Sequence, residues 1–269
     1  MDDRTPPLGL LLRTWRGRRR LSQMDLAHQA GVSPRHLSFV ETGRAKPSRE
    51  MVLHLAEQLD VPLRDRNGML LAAGFAPAFR ETDLAAPGMA AVREALELVL
   101  AGHEPYPAVV ADRRWELVMA NPAAALFLEG VAPALREPPV NVLRLTFHPD
   151  GLGSRIVNLG EWADHTIGRL ERQAMVTVRQ ELADLAVELT DLVAAQGAYT
   201  PVPENDPLPA VTLRLATDEG ELAFIATVAT FGTPVDITLD ELVVEAFLPA
   251  DRHTAEVLAA RSAAASPNR

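Results

Sequence analysis

Over the first 75 residues, apolar positions recur at helical spacing in short runs cut by glycines. Leu11, Leu12 and Trp15 share one face and predict a helix over 8–19. A second helix opens at Ser22, a good N-cap with Asp25 three residues on, and carries Leu26, Ala27 and Ala30 until Gly31 ends it. Val32 can plug the corner that follows. Ser33 caps a third helix, with Pro34 at its first turn, where the missing N–H costs nothing. There Leu37 and Val40 face inward, and Gly43 closes the helix. Ser48 caps a fourth helix carrying Val52, Leu55, Ala56 and Leu59, and a fifth covers 62–73 up to Gly74. Two short helices joined by a tight glycine turn form a helix-turn-helix, the unit that lays a recognition helix in the major groove.

The pattern then changes. Residues 76–90, with Pro77 and Pro87, read as a linker. Val92, Leu96, Val99 and Leu100 predict a helix over 90–101. Short strands are predicted over 107–112 and 115–120, then a helix capped by Asn121 carrying Ala125, Leu126 and Leu128. The apolar run 140–147 suits strand or helix. Residues 153–195 read as mainly helical, and 198–209 as a polar, proline-rich loop. Strands follow over 211–216, 222–231 and 242–247, with Thr217–Gly220 as a hairpin turn, then a helix over 252–260. The expected organisation is an all-α helix-turn-helix domain over 1–75, that linker, an α+β PAS-like domain over 91–260 and a disordered tail over 261–269.

Charge sharpens the division. Met1 to Phe79 carries +4, whereas the whole chain of 269 residues carries −10. A basic head on an acidic body favours phosphate at one end and repels it elsewhere. The run Arg18-Arg19-Arg20 adds to that head. With no cysteine, disulfides and thiolate chemistry are excluded. No apolar run approaches the length of a membrane span, and no signal-peptide pattern opens the chain, so a cytoplasmic protein is expected.

The N-terminal part closely resembles the XRE family of regulators, with its lambda-repressor-like fold. The matching residues are Arg16, Leu21-Ser22-Gln23, Leu26-Ala27, Ala30-Gly31-Val32-Ser33, Leu37-Ser38, Glu41, Gly43-Arg44 and Pro47-Ser48. The resemblance implies that Gln23 bonds a phosphate and that Pro34, Arg35, Ser38 and Phe39 face base edges. Ser33, Arg44 and Lys46 complete the expected DNA-binding set. It also implies a structural ion pair between Arg16 and Glu41. The larger part resembles the MmyB-like ligand-binding domain. The matching residues are Val109-Val110-Ala111-Asp112, Trp115, Ala120-Asn121, Asn141-Val142-Leu143-Arg144, Phe147-His148-Pro149, Phe231-Gly232-Thr233-Pro234 and Phe247-Leu248-Pro249-Ala250-Asp251. That likeness implies a small apolar effector, of the fatty-acid kind.

Arg144 interrupts the apolar run 140–147, and its fork could bind a carboxylate; equally it could pair with a structural acid. Trp115, Phe147 and Trp162 are candidate ligand-site walls or plain core. Asn121 reads as a helix cap. Catalysis is the weaker class: Ser154 lacks a nucleophile elbow and suits a helix cap, the histidines form no ligand pair, and Asp240-Glu241 has no identifiable partner. No cofactor and no metal are expected. The expected function is therefore a homodimeric regulator that binds double-stranded DNA at a palindromic operator and senses that effector. The alternative is a DNA-bound adaptor whose second domain binds a protein.

Overall fold

The computed structural model describes residues 7–177, 179–197 and 211–265. It divides into two compact units. The first takes the described residues up to Asp83 together with Gly232–Asp240. The second takes Leu84–Phe231 and the described residues from Glu241 onward.

The first unit is helical: α1 (Leu8–Arg18), α2 (Gln23–Gln29), α3 (Pro34–Glu41), α4 (Arg49–Gln58) and α5 (Leu63–Ala72). The caps hold the chain as its sequence dictates. Ser22 and Asp25 form a reciprocal capping box, and Ser33 and Ser48 accept the N–H groups of His36 and Met51. Gly31 and Gly43 lie at φ +62° and +71°, in the left-handed region where a Cβ would be strained. The core gathers Leu12, Trp15, Leu26, Leu37, Val40, Leu55 and Leu59. One glycine makes a contact the periodicity did not reveal. A Cβ on Gly9 would lie 2.1 Å from the Glu41 carbonyl oxygen, so α1 meets the end of α3 backbone to backbone.

The distant segment 232–240 completes this unit. It ends in a single turn, α10 (Ile237–Asp240). Arg80 bridges Asp236, and Ile237 N–H donates to the Arg80 carbonyl at 2.8 Å. The Asp236 carboxylate accepts from the Thr82 hydroxyl at 2.6 Å and from Thr238 N–H at 2.9 Å. Asp240 accepts the Leu63 N–H at 3.0 Å, capping α5, whose own N-cap, Pro62, has no side-chain bond to give.

The second unit is α+β. Its strands are β1 (Ala108–Ala111), β2 (Leu117–Ala120), β3 (Thr212–Thr217), β4 (Gly220–Thr230) and β5 (Val243–Pro249). All pair antiparallel, in the order β2-β1-β5-β4-β3. Its helices are α6 (Ala90–Gly102), α7 (Val142–Phe147), α8 (Leu159–Thr177), α9 (Gln180–Ala195) and α11 (Arg252–Ala265). The apolar run 140–147 divides. Val140 accepts the Leu117 N–H at 2.7 Å beside β2, and Asn141 then caps α7. The Asn121 helix is a 3-10 segment, Pro122–Leu128, and Ser154 sits inside a short 3-10 turn rather than capping a helix. The tail expected to be disordered from 261 is helical to Ala265. No glycine or proline interrupts it, alanine favours helix, and Arg261 is held by Glu129 and Glu219. The expected loop 198–209 lies outside the described residues.

Candidate nucleic-acid interface and ligand cavity

In the first unit, α2 and α3 sit on a buried polar clamp. Glu41 is 2% exposed. Its oxygens accept from Arg16 Nε at 2.8 Å, Arg16 Nη2 at 3.1 Å and Gln23 Nε2 at 3.0 Å. Arg16 Nη1 also donates to the Leu21 carbonyl at 3.0 Å, so one guanidinium ties α1, the turn before α2 and the end of α3 together. Gln23, expected at a phosphate, thus directs its amide nitrogen inward. On the outer side of α3, Pro34 and Arg35 are exposed, and Ser38 and Phe39 are partly so. The Arg35 guanidinium lies 5.3 Å from the Phe39 ring centroid, so the ring supports the cation. Arg44 and Lys46 are exposed beyond the helix, and Ser33 serves as its cap. The run Arg18-Arg19-Arg20 is largely turned to structure. Arg18 stacks 4.5 Å from Trp15, and Arg19 donates to the Leu59 and Asp60 carbonyls at the end of α4.

In the second unit a cavity of about 390 Å³ lies between the sheet and its helices. Its walls are mostly apolar: Val109, Leu117, Leu143, Leu145, Leu152, Leu213 and Phe247, among others. Phe127 also lines it and meets Phe247 edge-on, with ring centroids 4.8 Å apart. Trp162, Thr166 and Arg169 present one stripe of α8 to the same space, at the spacing of a helix face. On β5, Glu245 and Phe247 alternate onto one side and both line it.

The polar groups of this lining fall into two kinds. Asn121 is fully engaged: its oxygen accepts from Ala108 and Ala124 N–H, and its nitrogen donates to the Leu100 and Tyr106 carbonyls. The other kind is only partly satisfied. Glu245 is 5% exposed, and its Oε1 accepts from Arg169 Nη2 at 2.9 Å. Burial pushes the Glu245 carboxyl up, against the pull of Arg169. Arg169 Nε and Thr166 Oγ1 are buried and have no hydrogen-bond partner. Trp115, at φ +63°, lies under the Arg169 guanidinium at 5.0 Å and donates from Nε1 to Gln173 at 3.3 Å.

The four residues singled out for a ligand from sequence are thus separated. Trp162 lines the cavity. Trp115 supports Arg169, which lines it. Phe147 is wholly buried in the core, outside the lining. Arg144 also lies outside the lining: it forks Glu188 through Nε at 2.7 Å and Nη2 at 2.8 Å, with about half its side chain exposed. An acid one helix away satisfies it, the alternative its sequence left open. Asp240 and Glu241 do find partners, in the Leu63 N–H and in Arg179. Sequence reading passed over Arg169, Thr166 and Glu245. The signal for Glu245 was present, since it interrupts the apolar run of β5 as Arg144 interrupts 140–147.

Among the described residues, no helix is long and apolar enough to cross a membrane. Comparison with curated proteins gives no match. Comparison with protein families gives two: a helix-turn-helix domain over residues 7–67, and an MmyB-like transcription regulator ligand binding domain over residues 92–260. The second spans well over half the chain, and with a helix-turn-helix ahead of it the chain belongs to the family of MmyB-like transcription regulators.

Proposed function

We propose that this regulator binds DNA sequence-specifically as a homodimer on a two-fold operator, and that its ligand-binding domain is PAS-like and takes a fatty-acid-like molecule. The cavity carries the reading: about 390 Å³ of mostly apolar lining, with its unsatisfied polar groups on one stretch of α8. Ligand sites have this make-up, a large apolar surface with a few placed polar groups. The strand order β2-β1-β5-β4-β3, with covering helices, supports the PAS-like description. A mostly apolar cavity of this size weighs against a pure protein-binding adaptor, which needs none.

At the DNA, Pro34, Arg35, Ser38 and Phe39 face the bases, and Arg44 and Lys46 meet the backbone. Arg35, braced on Phe39, is the side chain best placed to read a guanine edge. Two copies are required because one recognition helix reads only a few base pairs. Signalling then follows from linkage: a ligand that favours one dimer arrangement changes operator affinity by its differential affinity for the two. Native mass spectrometry of the purified full-length protein, followed by denaturing extraction, tests the sensor reading. We expect an acyl-sized adduct, and removing it should change operator affinity. A protein that neither carries nor takes up any acyl compound overturns it.

A further inference from the structure

The carboxylate that closes the cavity's cation is also a competitor for it. Nε and Nη2 form one edge of an arginine fork, suited to both oxygens of a single carboxylate. In Arg169 only Nη2 of that edge is engaged by Glu245, while Nε is buried without a hydrogen-bond partner. Thr166 Oγ1, one helical turn earlier on the same face, is likewise buried without a partner. An anionic head group satisfying Nε and Thr166 would therefore sit beside Glu245. Two carboxylates and one guanidinium leave a net negative charge in a mostly apolar cavity, which is strongly disfavoured.

We propose that the cavity takes up a carboxylate-headed acyl chain together with one solvent proton, which settles on Glu245. This rests on the acyl-ligand reading above. The charge balance is simple. The free site holds a carboxylate and a guanidinium. The ligand brings one negative charge, and the proton neutralises Glu245. The occupied site again holds one anion and one cation, and the new carboxyl O–H can donate to the ligand. Arg169 on α8 is the charged group that bonds Glu245, and His165, one turn earlier on α8, is pushed below its ordinary value by burial and by Arg169, away from the range tested. The paired positions on the flanking strands are Val109 on β1 and Val228 on β4, which carry no charge. Burial already favours the protonated form of Glu245, so the added proton costs less there than on an exposed carboxylate.

Binding linked to one proton weakens by up to about tenfold per pH unit. The test uses full-length protein, dodecanoate below its micellar concentration and dodecan-1-ol, titrated calorimetrically from pH 6.5 to 8.5. Dodecanoate affinity should fall toward tenfold per unit. Titrations in two buffers of different ionisation enthalpy should show uptake of about one proton. Dodecanol should show neither effect. Glu245→Gln should bind dodecanoate more tightly at pH 8.5 and lose the pH slope, whereas Glu245→Asp should keep it. Circular dichroism confirms that both variants are folded.

If the slope survives in folded Glu245→Gln, the ligand carries its own proton and the assignment to Glu245 is overturned. Dodecanoate binding with no pH slope and no proton uptake overturns the proton link while leaving the acyl reading intact. If neither dodecanoate nor dodecanol binds, the acyl reading itself fails, and the proposal with it.

Discussion

Replacing Glu41 by alanine should loosen the whole reader, although Glu41 is not among its expected DNA contacts. The carboxylate is 2% exposed and accepts three hydrogen bonds, two from Arg16 and one from Gln23. Its removal leaves a guanidinium that still bonds the Leu21 carbonyl but has lost its counter-charge. Breaking a fully buried pair from one side costs about 3–5 kcal/mol. The Arg16 side chain keeps 19% of its exposure, so water recovers part of that loss. We expect about 2–3 kcal/mol, which for a domain of this size is a melting shift of roughly 10–20 °C. The chain has two units, and a single melting curve mixes them. Amide hydrogen exchange of α1 and α3 in the full-length protein isolates the effect, and protection there should fall by the same free energy. The double variant Arg16→Met/Glu41→Met should lose less than the two single variants together. Unchanged exchange in Glu41→Ala, or strict additivity in the cycle, would show that the clamp contributes nothing.

Two further predictions concern the same unit. Asp240→Ala removes a side-chain cap from the first N–H of α5, so exchange at the start of that helix should speed up by about 1 kcal/mol equivalent; equal exchange rates would rule the cap out. Arg35→Ala should cost about 1–3 kcal/mol on the operator and far less on random DNA, while Lys46→Ala should weaken both alike and reduce the salt slope by about 1. Equal losses on both DNAs for Arg35→Ala would remove it from base reading.

The reader was legible because its signals are local. Caps at Ser22, Ser33 and Ser48, and glycines at 31 and 43, fix each helix end within a few residues of sequence. The sheet was legible for a similar reason, since alternation and the turn at Thr217–Gly220 mark its strands. What stayed hidden is non-local. Arg169 and Glu245 are 76 residues apart, and only the fold brings them together at one cavity. Arg144 stood out by interrupting an apolar run, but its partner Glu188 lies on another helix, 44 residues on. Gly9 gave no warning, because a glycine in a helix looks like a weakness until the backbone of α3 occupies the space of its side chain.

The completion of the reader by residues 232–240 bears on how such proteins can be recombined. Asp236 and Asp240 bond Thr82 and Leu63, yet in the chain they lie inside the stretch matched by the ligand-binding family. A chimera joined at the linker would inherit α5 from one parent and its cap from the other. The two halves are therefore not interchangeable cassettes. A sensor transplanted onto a foreign reader must carry a 232–240 segment that still fits the new α5, and selection on that short segment would keep a reader and its sensor travelling together.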